Sequence, residues 1–193
     1  MCSANTWFSA TATGGFSTKN ASIAAYDSPL IEAILASAML ASSLHYGLIY
    51  ASVATRSLKV FKNPVTRFYL MTILIATVLV ALNLRASSTF DNIWTSLRHS
   101  IFTVISLIST TGFASTETNV WPIFSIIILM YVSIQRGCSG STTSGLRSDR
   151  VWILFKASRA QLTKIAYPNA VISVKTGGQP VDREIVSSVS IYV

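Results

Sequence analysis

Long apolar segments alternate with short polar ones along the chain. The first apolar segment covers residues 29–54, and the second covers residues 68–84, which contain no charged side chain. A helix needs about 20 residues to cross the hydrocarbon core of a bilayer. We therefore predict a membrane-spanning helix in each segment, with Glu32 close enough to one end of the first helix to reach the membrane interface.

Residues 91–109 form a shorter segment that has helical character but begins too polar to cross a membrane. The segment is followed by a glycine turn at Gly112. Non-helical backbone at membrane depth is tolerated only where it is buried in protein or lines water. These features are typical of a re-entrant pore helix that stops partway through the bilayer.

A third span begins at Pro122 and is interrupted by a run of small residues at positions 137–145. Proline suits the first turn of a helix, whereas glycine and other small polar residues weaken a helix interior. We predict a break or an unwound loop in this run.

Composition favours the bilayer as the environment. Of the 193 residues 51% are hydrophobic and only 11% are charged, and the mean hydropathy is +0.53. A soluble domain usually carries about 25% charged residues. Two cysteines, Cys2 and Cys138, are too few for a disulfide framework or a cysteine metal site, and we interpret Cys138 as a small packing residue.

The net charge of +8 does not indicate a nucleic-acid partner, because eleven of the fifteen basic residues lie in two polar stretches beside apolar spans. One stretch is the loop at residues 55–67, and the other begins after Gly145. Basic loops flanking apolar spans are the signature of cytoplasmic loops in membrane proteins. We expect membrane lipid and no nucleic acid as the surroundings of these charges.

A four-residue pattern occurs twice. Its copies are Thr13-Gly14-Gly15-Phe16 and Thr110-Thr111-Gly112-Phe113. Each copy follows a short segment of small and apolar residues and precedes a span that begins with proline. One copy alone is no more than an ordinary turn, but two copies at matched positions indicate an internal repeat. The order in each repeat is pore helix, glycine turn, loop and inner helix, with residues 68–84 as the outer helix of the second unit.

This pattern suits a selectivity filter for potassium. A dehydrated cation needs a ring of carbonyl oxygens in place of its water shell, and glycine permits the unusual backbone angles that turn carbonyls toward an axis. The carboxyl end of a pore helix favours a cation. We expect the threonine hydroxyl to add an oxygen or tie the loop to its helix, and the phenylalanine to pack outward and brace the loop.

Four further motifs extend the pattern over nearly the whole chain. They are Leu44-His45-Tyr46, Gly137-Cys138-x-Gly140-Ser141-Thr142, Tyr167-Pro168-x-Ala170-Val171 and Val174-Lys175-x-Gly177-Gly178-x-Pro180-Val181. Together with the two Thr-x-Gly-Phe copies, they closely resemble the TrkH branch of the Trk/Ktr/HKT superfamily of potassium transporters.

The resemblance implies an all-α polytopic membrane protein, in which four helix–pore loop–helix repeats of one chain form a pseudo-fourfold cation channel. The chain is then a fragment. It comprises the end of the second repeat (1–54), a cytoplasmic linker (55–67), the third repeat with a broken inner helix (68–146), a basic cytoplasmic linker (147–185) and the start of the fourth repeat (186–193).

The resemblance also implies potassium as the transported ligand, with no covalent cofactor and no enzymatic activity. Transport is then passive conduction, and coupling to a second ion is left open. The expected assembly is a homodimer in the bacterial inner membrane. A cytosolic nucleotide-binding regulatory subunit of the TrkA type is the expected partner.

The interrupted third span corresponds to the intramembrane gating loop of the family. Its expected residues are Arg136, Gly137, Cys138, Ser139, Gly140, Ser141, Thr142 and Gly145. The sequence departs from the family pattern here, because Gln135 and Arg136 stand where small residues are expected and Ser144 replaces a glycine. Arg136 could plug the pore, pair with an acid of another repeat, or mark a shifted register.

Two other functions compete with a potassium channel. Gly137-Cys138-Ser139-Gly140 matches the Gly-x-Ser-Gly motif of rhomboid-type intramembrane serine proteases, which need a base beside the serine. His45 is a formal candidate for that base, although we interpret it as a packing histidine. His99 lies on the outer side, and the protease reading leaves the repeat unexplained.

The second competitor is a non-conducting, degenerate transporter, for which Arg136 is the best support. Ion choice is a separate question, since in this family a serine at the glycine position of the first filter favours sodium. The two filters of this chain keep glycine, at Gly15 and Gly112, which favours potassium.

Overall fold

The computed structural model describes residues 2–17, 19, 22–26, 28–56, 63–87, 90, 92–143, 145–166, 175–176 and 179–180. Ser144, the expected start of a fourth repeat at 186–193 and most of the two motifs after residue 166 lie outside the described residues. The proposed division into repeats and linkers stays a prediction.

Helices dominate the described chain, as the all-α class predicts. They are α1 (Cys2–Thr11), α2 (Pro29–Ser43), α3 (Tyr46–Ala54), α4 (Pro64–Ala86), α5 (Ile93–Ile108), α6 (Ile123–Ile134) and α7 (Ser148–Ala166). Short 3-10 turns lie at Ser22–Tyr26 and Thr118–Val120. Strand β1 (Gln135–Arg136) pairs in parallel with β2 (Leu146–Arg147), and β3 (Lys175–Thr176) pairs antiparallel with β4 (Gln179–Pro180).

Helix α4 is the one continuous helix of the described chain that is long and apolar enough to cross a bilayer. Its 23 residues extend over about 34 Å. Asn63 caps its start by accepting a hydrogen bond from the Val65 amide at 2.9 Å, and Pro64 follows in the first turn. One face buries Tyr69 in the core, whereas the opposite face exposes Leu74. A helix that is apolar on all sides is typical of a membrane span.

The first predicted span, residues 29–54, is not one straight helix. It bends by 98° between α2 and α3. Leu44 is extended there, with φ −83° and ψ 163°, and the His45 imidazole caps α3 by accepting a hydrogen bond from the Gly47 amide at 3.1 Å. The predicted helix over residues 29–54 is therefore a bent pair of helices, which hydropathy alone does not show, because it does not tell which segment meets the free carbonyls at the end of α2.

Helix α5 lies at the centre of the described bundle, where it packs against α2, α4 and α6. Its buried side chains include Phe102, Ile105 and Ile108. Asn92 caps its start by accepting a hydrogen bond from the Trp94 amide at 3.2 Å. With 16 residues, α5 is about 24 Å long and is the short central helix that the sequence predicts.

Helix α6 ends at Ile134, where the chain turns into β1. The predicted break in the third span is confirmed, and it begins two residues before the small-residue run. Gln135 is buried at this point and donates a hydrogen bond from Nε2 to Thr72 Oγ1 at 3.1 Å. The break therefore forms where a buried polar side chain ties the chain to α4.

Candidate functional site

The two Thr-x-Gly-Phe hairpins have the same backbone conformation. Thr13 (φ 53°) and Thr110 (φ 61°) both adopt the left-handed region, and so do Gly15 (φ 68°) and Gly112 (φ 80°). A β-branched residue in this region is strained by about 1–3 kcal/mol. The same costly conformation occurs at both copies, so the repeat seen in the sequence is also a repeat in backbone structure.

Both hairpins begin with the same helix-ending motif. The Gly14 amide donates to the Ser9 carbonyl at 2.8 Å, and the Thr111 amide donates to the Ser106 carbonyl at 3.0 Å. The amide of the preceding threonine bonds three residues back in each case, at 3.2 Å for Thr13 and 3.0 Å for Thr110. These bonds define a Schellman motif with threonine at the left-handed position. Helices α1 and α5 therefore direct their carboxyl ends at the hairpins.

A serine anchors each hairpin to its helix. The Phe16 amide donates to Ser9 Oγ at 2.7 Å, and Ser106 Oγ donates to the Phe113 carbonyl at 2.7 Å. Sequence reasoning missed both serines. Their signal is the longer spacing Ser-x-x-x-Thr-x-Gly-Phe, which both copies share.

Backbone carbonyls remain open in both hairpins. Within the described residues, none donates a hydrogen bond to the carbonyl oxygens of the three residues that precede Phe16 or Phe113. The Phe113 carbonyl differs, because it accepts the buried Ser106 hydroxyl and faces its own helix. Open carbonyl oxygens on an extended loop are the groups that can replace the water around a cation.

The two hairpins touch at Gly15. A Cβ atom built on Gly15 would lie 1.9 Å from the Thr111 carbonyl oxygen, so no side chain fits there. A Cβ atom on Gly112 would meet nothing within 4 Å. The structure thus brings Gly15 and Thr111 into direct contact and leaves the equivalent side of the second hairpin open.

A second contact joins the segments that follow the hairpins. The Ala114 carbonyl accepts hydrogen bonds from the Ile23 amide at 3.1 Å and the Ala24 amide at 3.2 Å. The Ala114 amide in turn donates to Ser22 Oγ at 3.3 Å. These bonds hold the segment after the first hairpin against the segment after the second.

A partly buried ion pair connects α2 with α5, with Glu32 buried and the Arg98 side chain 28% exposed. Arg98 Nε lies 2.6 Å from Glu32 Oε2, and Arg98 Nη2 lies 2.9 Å from Glu32 Oε1. Glu32 is only 4% exposed, so its carboxylate is buried against Arg98, and its depth in the membrane stays a prediction. The sequence showed no signal for this pair, because its members are far apart in the chain and Arg98 belongs to no motif.

The small-residue loop docks onto the bend between α2 and α3. The Ser43 carbonyl accepts from the Cys138 amide at 3.0 Å, and the Ser42 carbonyl accepts from the Thr142 amide at 3.4 Å. The Gly140 carbonyl accepts from the Tyr46 amide at 3.2 Å. Helix ends leave such groups unsatisfied, and here the loop supplies their partners.

The same loop reaches the first hairpin. Thr13 Oγ1 donates to the Thr142 carbonyl at 3.4 Å, and Thr142 Oγ1 approaches the Thr11 carbonyl at 3.4 Å. Gly137 admits no side chain, since a Cβ atom there would lie 2.8 Å from the Ser43 carbonyl oxygen. The structure therefore brings the predicted gating residues together with the first hairpin.

The remaining loop residues are held by local contacts. Cys138 is buried in the core, and its carbonyl accepts from Ser141 Oγ at 2.5 Å. Arg136 lies along Gly145, where a Cβ atom would come within 2.9 Å of Nε, and Gly145 itself has φ 101°. The Arg136 carbonyl accepts from Ser148 Oγ.

The described structure offers no base for a serine nucleophile at Ser139. Ser139 Oγ accepts from Arg147 Nη1 at 3.4 Å, and its amide donates to Asp149 Oδ2 at 2.6 Å. The His45 ring lies against Gly140, but its Nδ1 accepts from the Gly47 amide. Among the described hydrogen bonds, none joins a histidine to Ser139, which disfavours the protease reading.

Comparison with known proteins adds independent information. A family model described as "TrkH: Cation transport protein" matches residues 2–191. The chain is 36% identical to the Trk system potassium uptake protein TrkH of Salmonella typhimurium (strain LT2), over 94% of this chain and 38% of that protein. It is 34% identical to the protein of the same name from Escherichia coli (strain K12), with the same coverage of 94% and 38%.

A solved structure is also similar. The crystal structure of the potassium transporter TrkH from Vibrio parahaemolyticus matches with a TM-score of 0.91 and 28% sequence identity, covering 96% of this chain and 40% of that chain. The chain spans about two fifths of the length of each of these relatives.

Proposed function

The chain belongs to the TrkH family of cation transport proteins, and on this basis we propose that it is part of a potassium-uptake pathway through a membrane. In this proposal the two hairpins supply half of a selectivity filter. The cations are bound by the open carbonyls of residues 13–15 and 110–112, and no covalent chemistry takes part.

The contact between Gly15 and the Thr111 carbonyl is the observation that carries this proposal. It joins two hairpins with matching left-handed residues, each with carbonyls that accept no hydrogen bond from a described residue. Each hairpin also terminates a helix whose carboxyl end carries partial negative charge. Carbonyl oxygens and helix dipoles together favour a dehydrated cation between the hairpins.

The open side of Gly112 suggests how the filter is completed. Gly15 meets the hairpin that follows it in the chain, and Gly112 has equivalent space but no neighbour among the described residues. The relatives are more than twice as long as this chain. In the proposal, the hairpin of a fourth repeat fills this space in the complete protein, and a first repeat closes the ring.

The proposal assigns a gate to the loop that contains Gly137, Gly140 and Thr142. This loop bonds both to the bend between α2 and α3 and to the first hairpin. A change in the loop would therefore be transmitted to the filter. Arg136 is the feature that argues against a freely conducting gate, and it makes a degenerate transporter the alternative to test.

The proposed setting is the bacterial inner membrane. There the membrane potential drives inward movement of a cation with about 2.3 kcal/mol per charge per 100 mV. Partners in the proposal are a second copy of the protein and a cytosolic nucleotide-binding subunit of the TrkA type. Helix α7, which carries Arg150, Lys156 and Arg159, is the candidate contact for that subunit.

The test uses the full-length gene in a host that cannot take up potassium. We expect it to restore growth at low potassium and Gly112→Ser to lower the preference for potassium over sodium in flux assays, because a side chain at φ 80° distorts the filter backbone. Ala54→Ser, at an exposed position at the end of α3, is the control. Failure to restore growth would favour the degenerate transporter, and unchanged selectivity of Gly112→Ser would count against the filter assignment.

A further inference from the structure

The Glu32–Arg98 pair lies on the seam between the two repeats. Glu32 belongs to the first turn of α2, the inner helix that follows the first hairpin. Arg98 belongs to α5, the pore helix that ends in the second hairpin. The pair therefore joins one repeat to the next rather than two parts of the same repeat.

Two other contacts lie on the same seam. One is the set of hydrogen bonds from residues 22–24 to Ala114, and the other is the close approach of Gly15 to the Thr111 carbonyl. The ion pair is remote from these contacts, since about 15 Å of helix separate Arg98 from the end of α5. Arg98 thus cannot touch an ion between the hairpins.

The pair restrains α5 more strictly than apolar packing does. Both oxygens of Glu32 accept from the planar guanidinium, at 2.6 and 2.9 Å, and this two-bond geometry tolerates little sliding or rotation. Glu32 is buried, so its charge has no water to replace a lost partner. Apolar neighbours of α5 could shift without a comparable loss.

A shift of α5 would reach the filter directly. The second hairpin continues from the end of α5 through the Schellman bonds, and its Thr111 carbonyl abuts the Cα atom of Gly15 without spare room. In the snug-fit account of filter selectivity, the spacing of carbonyl oxygens decides how well a filter replaces the hydration shell of one cation rather than another.

We propose that Glu32 and Arg98 are positioning residues, whose ion pair sets the separation of the two filter segments and thereby the preference for potassium over sodium. This inference rests on the proposed function, because it presumes that the hairpins form a filter. It adds a pair of residues outside the filter that controls the filter's geometry.

The experiment measures rubidium and sodium fluxes of the purified full-length protein in liposomes. The variants are Glu32→Gln, Arg98→Gln, Arg98→Lys, the neutral pair Glu32→Gln with Arg98→Gln, and the reversed pair Glu32→Arg with Arg98→Glu. Glu117→Gln, which removes an exposed carboxylate in the loop after the second hairpin, is the matched control. Rubidium stands in for potassium.

We expect each neutralising variant that reaches the membrane to lower the rubidium-to-sodium flux ratio by about tenfold, the middle of the range for coupled residues. Arg98→Lys keeps the charge but loses the planar fork, so it should lower the ratio by a smaller factor. The reversed pair should restore most of the ratio, and Glu117→Gln should leave it unchanged.

The neutral pair covers the case in which single variants fail to fold, since it leaves no unpaired buried charge. Wild-type selectivity in the neutral pair would overturn the positioning role, even if both single variants were lost. A reversed pair that folds without regaining selectivity would also overturn it. If the wild-type protein conducted neither ion, the proposed function itself would fail. If the wild-type protein conducted selectively and the variants kept that selectivity, only the positioning role would fail.

Discussion

The two Thr-x-Gly-Phe hairpins share a left-handed backbone turn and have different surroundings. Phe113, at the end of the second hairpin, is 2% exposed, whereas Phe16, at the end of the first, is 82% exposed. The two glycines show the opposite order of exposure: Gly15 is closely covered by the Thr111 carbonyl, whereas Gly112 faces open space. The shared left-handed turn therefore occurs in two very different environments.

The neighbours of helices α1 and α5 explain the difference. Helix α5 packs against α2, α4 and α6, and this shell covers Phe113 and anchors it in the core. Helix α1 packs mainly against α2 in the described chain. The left-handed turn therefore comes from the hairpin's own residues, whereas its covering comes from the helices around it. Phe113 packs in the core and Phe16 packs against no comparable shell among the described residues, and the bracing role of these rings stays a prediction.

The largest effect is expected from alanine at the two glycines of the full-length protein. Gly15→Ala should abolish potassium-dependent growth, because its methyl group would overlap the Thr111 carbonyl at 1.9 Å. If a fourth hairpin covers Gly112 in the complete protein, Gly112→Ala should impair growth and lower the preference for potassium, as expected for Gly112→Ser. Wild-type growth and selectivity in Gly112→Ala would show that the open side stays open and would contradict the proposed ring.

Truncation of the two phenylalanines should lower the stability of the protein by different amounts. Phe113→Ala removes a buried ring and should cost about 3–5 kcal/mol, whereas Phe16→Ala at an exposed site should cost less than about 0.5 kcal/mol. Thermal unfolding of the purified protein in detergent measures both. Equal losses of stability would mean that a part of the protein outside the described residues covers Phe16.

The anchoring serines provide a finer comparison. Ser106→Ala leaves the buried Phe113 carbonyl without its donor and should cost about 1–3 kcal/mol. Ser9→Ala removes an acceptor from the exposed Phe16 amide, which water can replace, and should cost about 1 kcal/mol or less. Thermal unfolding of the purified protein in detergent measures both losses of stability, with Ser9→Ala as the matched control. A larger loss of stability in Ser9→Ala than in Ser106→Ala would mean that the first hairpin, and not the second, is the more firmly anchored one.

The smallest effect is expected at the contact that only the first hairpin makes with the loop. Thr142→Val removes a hydroxyl whose bonds to the Thr11 and Ser42 carbonyls are long, at 3.4 and 3.3 Å. Losing about 0.5 kcal/mol should raise basal potassium flux in liposomes about twofold. Thr116→Val, outside the loop, should leave flux unchanged, and a similar increase there would remove the special role of Thr142.

Several features of the site could be predicted from the sequence. The two Thr-x-Gly-Phe copies predicted two equivalent turns, because a turn at a helix end depends only on residues close together in the chain. Both turns have the expected left-handed glycine. The run of small residues predicted the break after α6 for the same local reason. The bend at His45 could not be predicted in this way, because its cause is the arrival of Gly140 and Cys138 from a remote part of the chain.

The sequence by itself determined the apolar span α4, the repeated turns and the family, since these depend on residue type and spacing along the chain. Only the tertiary structure decided that Gly15 meets Thr111, that Glu32 pairs with Arg98, and that the first predicted span is bent. The physical reason is that a turn is stabilised by bonds within a few residues. A contact between remote segments depends on how the whole bundle packs.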